Sequence, residues 1–235
     1  MRLDERVRPS TRLKLAYAAL AAVDTSLAGS SGAWARRARH VTKPLLLPVL
    51  AAAVATDRRA QGSPLRSTTL AAQAGGWGGD VLLLGEGERS LAAGAASFGA
   101  GHAAYVAGFV RNRDPRTPLA TRASTRAIAA LWAASAPVVA ATAARRDRRL
   151  GGTLLAYSAV LATMTATGSH LDPALPRDAR VLTAAGGALF LASDAILGAR
   201  TFLLPEASPR WESAVMATYT GAQLLLAEGA ARAGR

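Results

Sequence analysis

The sequence predicts an all-α membrane protein, an eight-transmembrane-helix bundle. Three observations carry this reading. Hydrophobic residues make up 51% of the 235 positions and only 18% are charged, a balance unlike that of an ordinary soluble domain. The charges are clustered: no Lys, Arg, Asp or Glu stands between Arg89 and Arg111, between Arg126 and Arg145, or between Arg149 and Asp172. Five further stretches are similar but shorter or carry one or two polar interruptions. A run of about 18 residues with few charges is long enough to cross a bilayer.

The elements follow in order. Leu13 to Gly29 is the first stretch, preceded by a basic segment and interrupted by Asp24. That carboxylate argues for a retained helix over a cleaved signal peptide. Val41 to Thr56 is the second, with Lys43 near its start and Pro44 marking the first turn, where proline is favoured. Ser67 to Gly85 is the third. It holds Asp80, and Gly75 with Gly79 forms a GxxxG pattern suited to close helix packing. The fourth, from Arg89 to Arg111, carries His102 and Tyr105 one turn apart. The fifth, from Arg126 to Arg145, contains Pro137. The sixth, from Arg149 to Asp172, has only Thr, Ser, Tyr, Gly and His as polar interruptions. A soluble helix needs a polar face at 3.6-residue spacing, and this run has no charged one. Val181 to Ala199 is the seventh and holds Asp194; Ser213 to Ala227 is the eighth and holds Tyr219 and Gln223. The expected organisation is a basic cytoplasmic N-terminus at 1–12, a single transmembrane helical domain at 13–230 and a short tail at 231–235.

Composition excludes several classes. There is no cysteine, so disulfide scaffolds, thiolate nucleophiles and Cys-ligated metals fall away. With three His in the chain no His-rich metal site is expected, and no metal or cofactor is assigned. The net charge of +13 does not indicate nucleic acid, because the bases are spread over every loop with no aromatics interleaved. Attraction to anionic headgroups and control of orientation account for it, so the expected partners are membrane lipids. More Lys and Arg fall on the side of the two termini than on the other. The positive-inside rule therefore puts both termini in the cytoplasm of a multi-pass plasma-membrane protein.

Ionisable groups inside a membrane are costly and usually face a bundle interior or a cavity. Here they are Asp24, Lys43, Asp80, His102 and Asp194, with Tyr105, Tyr219 and Gln223 as uncharged polar companions. Asp80 and Asp194 lie equally far into two odd-numbered stretches that run in the same direction, so they share a depth, about 20 Å from each helix start. Lys43, Tyr219 and Gln223 fall toward that same side, and convergence of these faces would make one polar pocket. The interval from Asp80 to Asp194 also equals that from Tyr105 to Tyr219, as a 4+4 parallel repeat would produce.

These words resemble those of the YhhN-like lysoplasmalogenase family of multi-pass membrane hydrolases. The resembling segments are Lys43-Pro44-Leu45-Leu46-Leu47-Pro48, Gly79-Asp80-Val81-Leu82-Leu83-Leu84, Gly101-His102-Ala103-Ala104-Tyr105, Leu189 to Leu197 around Asp194, and Ala217 to Leu225 around Tyr219 and Gln223. Two segments depart from the family pattern: Tyr157 to Gly168 matches loosely, and Arg200-Thr201-Phe202 stands where an Asn-Arg-Phe-like word is common. The resemblance implies eight helices and hydrolysis of the vinyl-ether bond of a lysophospholipid substrate to a fatty aldehyde and a glycerophospho-base. It implies Asp80 and Asp194 as the catalytic carboxylates. The chemistry is compatible: a vinyl ether is cleaved by protonating carbon and adding water to an oxocarbenium ion, which asks for a proton donor and a carboxylate. Lys43, His102, Tyr105, Tyr219 and Gln223 are the substrate-binding candidates, with Lys43 placed to hold the phosphate as a point charge. The alternatives are a small proton-coupled transporter and a non-catalytic membrane scaffold.

Overall fold

The structure, a computed structural model, describes residues 8–204 and 206–234. The basic residues Arg2, Arg6 and Arg235, counted above toward orientation, lie outside the described residues. The described residues form eight long helices and no strand: α1 (Pro9–Ala28), α2 (Ala33–Thr56), α3 (Arg66–Leu82), α4 (Gly87–Arg111), α5 (Ala123–Ala144), α6 (Arg148–Gly168), α7 (Arg177–Gly198) and α8 (Pro209–Arg232). α7 continues as a five-residue π-helical turn, Ala199–Leu203. Among the described residues, three helices are long and apolar enough to cross a membrane: α5, α6, and α7 taken through Leu203. The other five fall short of that measure. α3 has 17 residues, and the rest carry charges, glycines and small polar side chains that lower their hydropathy.

Consecutive helices pair off, α1 with α2, α3 with α4, α5 with α6 and α7 with α8. α4 then packs on α6, α2 on α3, and α1 closes against α8. The small residues of the sequence allow the tightest of these approaches. A Cβ on Gly75 would stand 2.6 Å from the backbone nitrogen of Gly101, so α3 and α4 touch backbone to backbone at that level. The α4–α5 loop is tied to the end of α6 by a bridge between Arg113 and Leu171 and by a hydrogen bond from Asp114 N to His170 O of 2.9 Å. A buried apolar centre runs through the pairs, with Leu46, Leu47 and Leu50 of α2, Phe98 of α4, Phe190 of α7 and Met216 and Leu226 of α8. Large apolar side chains also point outward, among them Leu131 and Val138 of α5 and Val181 of α7.

One boundary differs from expectation in a way that matters. α2 starts at Ala33, well before Val41, so the basic run Arg36–Arg39 is helical and Pro44 and Pro48 are interior. An interior proline removes one helix hydrogen bond and crowds the preceding turn. The helix persists because α2 is held by α1 and α3 along its length, including a hydrogen bond of 3.1 Å from Trp77 Nε1 to the Pro44 carbonyl. Lys43 is therefore not at a helix start. It lies about 15 Å along α2 and is buried.

Candidate active site

Each helix brings its site residue on a stripe spaced three or four apart, the spacing that stacks side chains on one helical face. On α3 the stripe is Thr69, Gln73, Gly76 and Asp80, all buried. On α8 it is Val215, Met216, Tyr219 and Gln223, also buried, with Glu212 one turn before. On α2 Arg39 and Lys43 share a face, and on α7 the face runs from Phe190 through Asp194 to Leu197. These stripes meet around one cavity of about 280 Å³. Its polar lining includes Lys43, Asp80, Tyr157, Asp194 and Tyr219; Leu83, Leu91, Leu154 and Leu197 make an apolar flank.

The two carboxylates are served differently. Asp80 accepts a hydrogen bond of 2.6 Å from the Tyr219 hydroxyl at Oδ2 and faces Lys43 Nζ, 3.6 Å from Oδ1. Asp194 accepts from the Tyr157 hydroxyl at Oδ2, and no ion pair to it is present among the described residues. Behind Tyr157, His102 Nε2 lies 3.3 Å from the same hydroxyl. Because that hydroxyl's only proton is given to Asp194, His102 is the donor in this contact. The aromatic rings of Phe98, Phe190 and Tyr219, which line the same cavity, meet edge to face with centroids 5.5 to 6.5 Å apart.

Of the residues singled out from sequence, Asp80, Asp194, Lys43 and Tyr219 line the cavity. His102 stands behind it and reaches Asp194 through Tyr157. Tyr105 and Gln223 are buried outside the lining. Tyr105 stacks on Phe109 and its hydroxyl has no hydrogen-bond partner; Gln223 Oε1 has none either. Asp24 is fully buried between α1 and α2, where it accepts from Thr42 Oγ1 and lies 3.5 Å from Arg39 Nε. It is an element of helix pairing and does not line the cavity.

Sequence reasoning missed three residues. Tyr157 stands in a charge-free run where a tyrosine reads as packing; the available signal was that it is the one tyrosine of that run. Arg200 enters only within a segment that departs from the family pattern and Glu212 is not singled out, yet both line the cavity and bond to each other, Glu212 also taking Arg39 Nη1 at 3.1 Å. Among the described residues no group of three or more His, Cys, Asp or Glu could hold a metal ion.

The profile of the YhhN family matches residues 38–230, which includes every cavity residue named above. The chain belongs to the YhhN family. No curated protein and no solved structure matches it. Both carboxylates, Lys43 and the Tyr157–His102 pair thus fall within the family region, while all of α1, Asp24 included, lies before it.

Proposed function

We propose that this YhhN-family chain is an integral-membrane hydrolase that cleaves the vinyl-ether bond of lysoplasmalogen-like lipids, releasing a fatty aldehyde and a glycerophospho-base. In this reading all eight helices span the plasma membrane, with both termini cytoplasmic as the basic loops suggest. The observation that carries the proposal is the pair of carboxylates, Asp80 and Asp194, lining one cavity that has an apolar flank for a hydrocarbon chain.

The two environments suit two roles. Asp194, hydrogen-bonded by Tyr157 and without a cation, serves as the acid. Its proton goes to the β-carbon of the vinyl ether, the C=C π pair forms the new C–H bond, and the positive charge settles on the α-carbon and ether oxygen. Asp80, beside Lys43, serves as the carboxylate that faces this charge and takes a proton from the water adding to the α-carbon. The hemiacetal hydroxyl gives its proton to Asp194 and Asp80 returns its proton to the glycerol oxygen, so the C–O bond to that oxygen breaks, the aldehyde forms and both carboxyls are restored. The edge-to-face aromatics that share the cavity lining keep bulk water from the cation. The division of labour parallels glycoside cleavage, where one carboxyl donates and the other stabilises or activates water.

The test is aldehyde release from a synthetic lysoplasmalogen by the purified, detergent-solubilised protein, with Asp80→Asn and Asp194→Asn alongside. Release by wild type and its loss in both variants supports the reading. No release from folded wild type removes it, and release that survives both substitutions removes the carboxylates from the mechanism.

A further inference from the structure

A charge ladder that the cleavage chemistry does not use runs up to the cavity, which its last two members, Glu212 and Arg200, line. Asp24, Arg39, Glu212 and Arg200 alternate in sign across α1, α2, α8 and the end of α7. Glu212 is the centre of it, bonded on one side to Arg39 and on the other to Arg200. Arg200 spends Nη1 on Glu212, and its Nε is buried with no hydrogen-bond partner. Arg200 also lines the cavity, and the fixed fork of a guanidinium matches carboxylate or phosphate oxygens.

The backbone presents Arg200 deliberately. It sits in the π-helical turn Ala199–Leu203, closed by a hydrogen bond of 2.9 Å from Leu204 N to Ala199 O. Such turns recur at functional sites, where they re-aim side chains. The turn is held from outside by Arg146, which donates to the Thr201 carbonyl and stacks over the Phe202 ring at 5.2 Å.

We propose that Arg200 and Glu212 form the headgroup subsite for a zwitterionic lysophospholipid, the phosphate resting on the Arg200 guanidinium and the ammonium on the Glu212 carboxylate. This rests on the reading above and names the residues that would hold the headgroup of that substrate. Neighbouring opposite charges suit a zwitterion; a purely anionic head would meet Glu212. Spacing agrees. Arg200 follows Asp194 by six residues on one helix, about 9 Å along the axis, which a glycerol arm bridges between ether and phosphate. The apolar flank of Leu83, Leu91 and Leu154 receives the chain. Arg39, anchored by Asp24, positions Glu212.

The experiment compares purified wild type with Arg200→Gln, Arg200→Lys and Glu212→Gln, each checked for an unchanged melting temperature. Three vinyl-ether substrates are used: the lysophosphoethanolamine, the lysophosphatidic acid and the phosphate-free 1-alkenylglycerol. Arg200→Gln is expected to lower the ratio of kcat/KM for the phosphate-bearing lipids to that for alkenylglycerol by about tenfold to a hundredfold, the size of one charge-assisted hydrogen bond. Arg200→Lys, which keeps charge but loses the fork, falls between. Glu212→Gln is expected to shift preference toward the lysophosphatidic acid. Equal losses on all three lipids overturn the subsite. A binding arm separates this from the hydrolase reading: displacement of a fluorescent lysolipid by the uncleavable 1-O-alkyl lysophosphocholine. If wild type releases no aldehyde but binds this lipid, and Arg200→Gln weakens binding about tenfold, the subsite stands and the hydrolase falls. No binding by wild type, or equal binding by the variants, overturns the subsite.

Discussion

Lys43 Nζ lies 3.6 Å from Asp80 Oδ1, and both side chains are withdrawn from solvent. In the mechanism proposed above, this contact makes the lysine act on the carboxylate. Lys43→Met is therefore expected to lower kcat by about tenfold to a hundredfold with KM for the phosphate-bearing lipid unchanged. Steady-state kinetics on the folded variant check this; a rise in KM alone would return Lys43 to the phosphate.

Tyr157 joins His102 to Asp194, so the two should be coupled. Tyr157→Phe is expected to reduce kcat about tenfold or more, by removing the one hydroxyl given to Asp194. His102→Gln should cost less, and nothing further when added to Tyr157→Phe. A double-mutant cycle measures that non-additivity. Additive losses would mean that His102 works by another route.

Tyr105 makes the opposite case. Its hydroxyl is buried with no hydrogen-bond partner, while its ring stacks on Phe109 with centroids 5.6 Å apart. Removing an unpaired buried hydroxyl loses no bond, so Tyr105→Phe should leave melting temperature and activity unchanged or slightly raised. A fall of several degrees would assign the hydroxyl a bridging partner.

Asp57 ties the α2–α3 connection to α1. It accepts from Lys14 at 2.7 Å and from Arg59 at 2.6 Å and caps the short turn after α2 through Arg59 N. Burial pushes its carboxyl up, but the bonds from Arg59 and Lys14 outweigh this and hold it below its ordinary value of 3.8. A carboxyl lowered by folding contributes stability above its unfolded value and loses it as pH falls toward the folded one. Wild type should melt above Asp57→Asn at pH 7, with the gap narrowing below about pH 4. Differential scanning fluorimetry in detergent across that range reads the gap, and a constant gap would refute the linkage.

Much of this protein was legible in the chain. The eight helical segments follow from where charges are absent, a property of consecutive residues. Asp80 and Asp194 stand out because a carboxylate in an apolar run needs a reason to be there. Their equal depth is an expectation from assumed helix starts; α3 begins at Arg66 and α7 at Arg177, which puts Asp194 about one turn further along its helix than Asp80.

What only the tertiary structure decided is how each helix is rotated against its neighbours. That rotation is set by packing between helices far apart in sequence, such as the backbone contact of Gly75 with Gly101. It turned Lys43 onto Asp80, brought Tyr157 from α6 to Asp194, and left Tyr105 and Gln223 outside the cavity. It also gathered Arg39, Glu212 and Arg200 into one cluster from three helices. Hydrophobic patterning is local and survives in the sequence. Pairing between polar side chains on different helices depends on angles and offsets that no single segment contains.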